Sequence, residues 1–190
     1  MKLSPLLVVV ALLHAFIGWR LLPDLAAPWG WALALGLALS TVLMPLGLVG
    51  SRVARQPWAD WLSWAGLMAM GLFSSLFVLT VLRDAVWLSA WLVDAVGLAA
   101  VPFASWRAVS AAAVPLLALS VTAVGFFNAR RTPAMVRIDV PIAGLPAALQ
   151  GFTLAQISDV HVGPTIKRGF FAAGGEQGQH IESGCGGHYR

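Results

Sequence analysis

Four long apolar runs with almost no charge inside them constrain this chain more than any other feature of its sequence. They occupy residues 3–22, 31–49, 61–82 and 108–127. A helix needs about 20 predominantly apolar residues to cross the hydrocarbon of a bilayer, and each run is long enough. The 190 residues are 59% hydrophobic and 11% charged, whereas a soluble domain carries about 25% charged residues. A fold of this size has too little interior to hide so much apolar surface, so lipid must cover it. Residues 1–131 are therefore expected to form a mainly α transmembrane bundle, with the bilayer as its principal partner.

The first run holds twelve Leu, Ile, Val or Phe residues, each favouring insertion by about 0.3–0.6 kcal/mol near a helix centre. Arg20 stands at its end, where it can snorkel to the interface. A cleaved signal peptide is the rival for this run, but no small-x-small cleavage site follows it. In the second run Ala32, Gly36 and Ser40 share one helix face and are expected to form a close-packing stripe. Trp19, Trp29, Trp31, Trp58, Trp61 and Trp106 fall near the run ends, the level tryptophan prefers in a membrane. His14 lies within the first run and reads as a packed or interface residue.

Residues 85–101 are balanced. Their seven Leu or Val residues favour insertion by roughly 2–4 kcal/mol, while Asp94 opposes it by roughly 2.5–3.5. Arg83-Asp84 is also too short a link between two full spans, so an interfacial or re-entrant helix is expected here. Asp94 then either faces water and headgroups or marks an ion or proton path. With four spans, Lys2, Arg52, Arg55, Arg130, Arg131 and Arg137 lie on one side against Arg20, Arg83 and Arg107 on the other. That bias places both termini in the cytoplasm. Five spans would give four against five, which decides nothing. The net charge of +4 comes from these scattered arginines and not from a basic stripe, so no nucleic-acid partner is expected. The single Cys185 excludes an intrachain disulfide.

The pattern changes after Pro133. Val136, Ile138 and Val140 alternate with Arg137 and Asp139, a strand signature. Residues 152–157 form an apolar run suited to a core strand. Ser158, Asp159, Val160 and His161 follow directly. On an extended segment residues i and i+2 point the same way, so the Asp159 carboxylate and the His161 imidazole converge at the strand end. Such a pair can bind divalent metal, and two metals about 3.5–4 Å apart can polarise a phosphoryl oxygen and supply hydroxide.

Two strings extend this motif: Leu145-Pro146-Ala147-Ala148-Leu149-Gln150-Gly151-Phe152, then Gln156-Ile157-Ser158-Asp159-Val160-His161-Val162-Gly163-Pro164-Thr165-Ile166. After a multi-span membrane region, they resemble the opening of bacterial membrane-anchored metallophosphoesterases of the calcineurin-like superfamily. The resemblance runs to about Phe170. It implies a dinuclear-metal phosphoester hydrolase in the bacterial inner membrane, with an α/β catalytic domain. It also implies that Asp159 bridges both metals and His161 binds one.

The later motifs of that family, Gly-Asp, Gly-Asn-His-Asp/Glu and Gly-His-x-His, do not occur in the 190 residues. Two ligands on one short segment cannot fix two metals. The chain therefore reads as a truncated and inactive form that holds no metal stably and meets a phosphoester substrate only when full-length. Residues 132–170 are the expected fragment of the catalytic domain, and residues 171–190 an expected disordered tail, rich in glycine. His180, Cys185 and His188 in that tail match no standard metal-site spacing. Read one base later, codons permitted for Ala172 to Arg190 can spell RRVVSKVNTLNPDVVAITG, an amphipathic helix start followed by an apolar strand. A frameshift near codon 171 is the expected origin of the tail. The rival reading is a non-enzymatic small membrane protein, a transport or assembly subunit, which a deep, partnered charge pair would favour.

Overall fold

The computed structural model describes residues 3–100, 102–131, 136–150, 152 and 154. Four helices make up a first unit: α1, Leu3–Leu21; α2, Ala27–Val53; α3, Trp58–Ala95; and α4, Phe103–Ala129. All four are long and apolar enough to cross a membrane, so the expected mainly α, four-span bundle is what the chain forms. Antiparallel neighbours follow from the short links. A 3-10 turn at Leu22–Asp24 joins α1 to α2, and four residues join α2 to α3. Pro45 and Pro115 lie inside α2 and α4, which membrane helices tolerate when surrounding groups take up the freed carbonyls.

Helix α3 is the hub and touches α1, α2 and α4. The core is small: Ile17 and Leu21 from α1, Leu37 from α2, Leu76 from α3, and Ala111, Val114 and Ala118 from α4. Most other large apolar side chains are exposed, which is the surface a bilayer covers.

The closest approach joins α2 to α3. A Cβ built on Gly66 would lie 2.5 Å from the Gly47 Cα and 2.6 Å from the Leu43 carbonyl oxygen. No side chain fits between these backbones. Gly50 lies somewhat less closely on Ser63 and Ala59, where an added Cβ would meet the Ser63 Oγ at 3.1 Å. Small residues let dispersion act over short distances where lipid offers no hydrophobic drive. The packing stripe expected at Ala32, Gly36 and Ser40 points the same way as Gly47, which stands about 20° of turn from both Gly36 and Ser40, but the close contact is made further along α2; of the three, Ser40 reaches a neighbouring helix, at His14. Ala32 and Gly36 are exposed, and a Cβ on Gly36 meets nothing within 4 Å. Leu33 and Leu37, one residue further round the helix, turn into the core beside it.

The break expected at Arg83-Asp84 is also absent. Helix α3 runs 38 residues, about 57 Å at 1.5 Å per residue. No interfacial or re-entrant helix starts afresh at residue 85. Residues 83–95 contain neither Gly nor Pro, and the charges of Arg83 and Asp84 are neutralised by partners on other elements. The helix stops where Gly97 takes φ +72°. There the Leu98 N–H donates to the Val93 carbonyl at 3.1 Å and the Gly97 N–H to the Asp94 carbonyl at 3.0 Å, the Schellman arrangement.

From Arg130 the chain forms a second unit. Residues 136–140 are exposed and carry no regular structure, and no strand occurs among the described residues. Alternation prepares a segment for a ladder, but only a neighbouring strand completes one. The second expected strand, residues 152–157, lies mostly outside the described residues. A 3-10 turn at Ala147–Leu149 follows Gly144, whose φ is +77°.

Gly66→Leu should lower thermal stability in detergent by about 1–3 kcal/mol or more, as overpacking does. Gly36→Ala should leave stability unchanged or raise it slightly. Equal effects from the two substitutions, measured by thermal unfolding, would show that the α2–α3 crossing does not depend on the bare backbone contact.

Candidate functional site

The charged residues of the helical unit gather at one end. Arg83 on α3 reaches into a space bounded by α1, the Leu22–Asp24 turn and α4. Its Nη2 donates to the Asp24 carboxylate at 2.6 Å, its Nη1 to the Arg20 carbonyl at 3.0 Å and its Nε to the Ser110 hydroxyl at 2.9 Å. A longer bond from Nη2 reaches the Arg107 carbonyl at 3.4 Å. The guanidinium stands over the Trp87 ring, 5.7 Å from its centroid. Ser110 is used to capacity: it accepts from Arg83 and from the Trp87 indole N–H, and donates to the Arg107 carbonyl.

Two further pairs flank this centre. Arg20 grips Asp84 in a fork, with Nε at 2.8 and 3.0 Å and Nη2 at 2.7 Å. Arg107 places its Nε 3.0 Å from the second oxygen of Asp24. The pairs differ in burial. The side chains of Arg83 and Asp24 are 6% and 11% exposed, those of Arg20 and Asp84 35% and 25%. A buried, fully bonded pair leaves a stranded charge when one partner is lost, whereas a half-exposed pair is rescued by water.

The cluster marks a membrane boundary. From Asp60 to Arg83 is 23 residues of α3, about 35 Å of helix against a hydrocarbon thickness of about 30 Å. Trp19, Trp29, Trp31, Trp91 and Trp106 are exposed near the same end, as interfacial tryptophans are. The charge pairs therefore sit at the end of the spans and not in the middle of a transport path. Every carboxylate in the cluster is engaged by guanidinium groups, so the arrangement offers no base or nucleophile. It joins helices.

His14 sits deeper, about 9 Å along α1 from Arg20, and is 3% exposed. Its Nδ1 lies 2.7 Å from the Val10 carbonyl, which can only accept, so Nδ1 carries the proton. Nε2 then accepts from the Ser40 hydroxyl at 2.9 Å. The ring stacks on Phe73 at 4.4 Å. One imidazole thus bridges α1, α2 and α3, the packed role expected of it. Asp94 is exposed in the last turn of α3.

Asp159, His161, His180, Cys185 and His188 all lie outside the described residues. Among the described residues, no three His, Cys, Asp or Glu side chains come together as a metal site. The cluster around Arg83 was missed in the sequence because its partners lie 59 and 64 residues apart in the chain. The available signal was the balance of charge at the run ends, where two aspartates accompany three arginines.

No family model matches the chain, and no solved structure matches it. Two curated relatives, both named "Transmembrane protein with metallophosphoesterase domain", are similar over part of it. The protein from Danio rerio is 42% identical over 57 residues, 28% of this chain and 13% of the relative. The protein from Bos taurus is 38% identical over 58 residues, again 28% and 13%. The chain thus covers 13% of the length of these relatives. Over that stretch it is related to membrane proteins that carry a metallophosphoesterase domain, and its four apolar helices make it a multi-pass membrane protein.

Asp24→Asn should destabilise the bundle by about 3–5 kcal/mol, since it strands Arg83. Asp84→Asn should cost about 1 kcal/mol or less, because Arg20 can turn to water. Thermal unfolding in detergent, followed by circular dichroism, separates the two. A larger loss from Asp84→Asn would reverse the ranking of the pairs.

Proposed function

We propose that residues 1–131 anchor a metal-dependent phosphoester hydrolase in the bacterial inner membrane, and that residues 132–170 open its catalytic domain. One observation carries this reading. A four-helix membrane unit is followed, within thirty residues, by Asp159-Val160-His161 in its extended string, and the two partial relatives are named for the same combination. Asp159 would bridge two divalent metals and His161 would bind one. These residues alone do not fix a dinuclear centre, so the hydrolase reading calls for further metal ligands beyond Asp159 and His161. The partnered charges at the bundle end give the transport-subunit alternative no support, because they are saturated and lie at a boundary.

Both termini are cytoplasmic in this proposal. Four antiparallel spans bring the chain in and out of the helical unit at the same end. The six-to-three bias of basic residues favours the cytoplasm for that end. Cysteines placed singly at Arg55 and Arg131, with Cys185 replaced, should resist a membrane-impermeant thiol reagent in intact cells, while Ala100→Cys should label. Free labelling of Arg131→Cys rejects the arrangement.

The glycine-rich stretch from residue 171 is proposed to be out of frame. Sequencing the gene past codon 170 tests this: the shifted frame should encode Gly-Asn-His and Gly-His-x-His. Their absence from every frame defeats the hydrolase reading. If they are present, the 190-residue chain should show no Mn²⁺-stimulated phosphodiester hydrolysis, the frame-restored protein should show it, and Asp159→Asn should abolish it.

A further inference from the structure

Helix α3 does not end at the membrane boundary that Arg83 marks. It continues to Ala95, about 18 Å further at 1.5 Å per residue, and α4 starts at Phe103 to run back beside it. Trp87 of α3 stacks on Phe103 at 5.4 Å and ties the two arms into a hairpin. The headgroup layer takes up only about 5–8 Å on each side of the hydrocarbon. From Leu88 to the turn the hairpin therefore projects into water. It does not fold down onto the lipid, because residues 83–95 hold no Gly or Pro at which a helix kinks.

A projection into water is ordinarily polar, and this one is apolar. Between Asp84 and Arg107 the one charged residue is Asp94. Leu88, Trp91, Leu92, Val96 and Leu98 are each more than half exposed, on the order of 100 Å² of apolar surface apiece. Val86, Trp106 and Val109 are as exposed at headgroup level. They bring the apolar surface to about 800 Å², the area one partner gives to a standard interface. Monomers rarely leave a contiguous apolar patch of that size uncovered. With a single carboxylate, the hairpin offers a charge-steered partner little to grip. Copies of this chain, by contrast, are held by the bilayer at one height and in one orientation, so their hairpins meet at matching levels. Leu88 and Leu92, one turn apart, stand about 100° and 140° round α3 from Trp87 and face away from α4. We propose that the hairpin of residues 84–109 joins two copies of the chain. Leu88 and Leu92 of each copy pack on the same residues of the other across a two-fold axis along the membrane normal. The contact does not rest on the hydrolase reading and leaves the charge cluster intact.

The test is cross-linking of the full chain in membranes, with Cys185→Ser as the background. Under mild oxidation Leu88→Cys and Leu92→Cys should each yield a disulfide-linked dimer of the chain, identified by mass spectrometry. Leu39→Cys, equally exposed but on the lipid face of α2, should not. Leu88→Glu added to Leu92→Cys should lower the yield at least about tenfold, since two charges then enter an apolar contact. Its helical circular dichroism should not change, because Leu88 is exposed in the single chain. Absence of a dimer from both single cysteines overturns the proposal. So does a yield no higher than that of Leu39→Cys, which reports random collision, or a cross-link to a different protein. A yield that Leu88→Glu leaves unchanged also overturns it. If the glutamate variant fails to fold, the comparison of Leu88→Cys and Leu92→Cys with Leu39→Cys decides alone.

Discussion

The pairing of Arg83 with Asp24 is the constraint from which the rest of the bundle follows. A guanidinium on a membrane helix is costly unless its donors are met, and here one side chain meets α1, the first turn and α4 together. Because those contacts neutralise it, α3 can continue for three more turns. The same contacts define the boundary at which the tryptophans lie. The gain in binding energy is modest, since desolvation opposes the Coulomb term. What the pair supplies is register: only one vertical placement of α3 brings Arg83 level with Asp24 and Ser110.

The sequence was legible where the physics acts over twenty residues at once. Hydrophobic length is a composite property, so four spans emerged whichever single residue was weighted. It was less legible where one contact decides. Arg83-Asp84 read as a terminus because charges usually end a span, and their partners lie 59 and 64 residues away in the chain. The small-residue stripe of α2 pointed the right way but at the wrong height: Ala32 and Gly36 are exposed, and the bare contact is made at Gly47, because only the neighbouring helix decides where along the stripe the two meet. Gly47 and Gly66 matter because they face each other, and no single helix contains that fact.

The second unit shows a different limit. Alternation in Val136, Ile138 and Val140 describes a side chain's readiness for a sheet, but hydrogen bonds belong to pairs of strands. The putting together of a metal centre has the same character. Asp159 and His161 stand out as an expected local motif because only two positions of the sequence are needed to see it, whereas the further ligands that a dinuclear centre would need have to be brought in from distant segments. Local motifs are readable early; assembled sites are not.

Helix α3 is held at two levels by unlike forces. Near one end its backbone lies against α2 at Gly66; seventeen residues on, Arg83 is bound to the opposite elements. At about 100° per residue the two positions face directions about 100° apart. A rod held on two faces at two heights can neither slide nor turn about its own axis. A piston or rotary displacement of this helix would have to break both contacts. The two contacts together fix the height and the facing of α3 within the bundle.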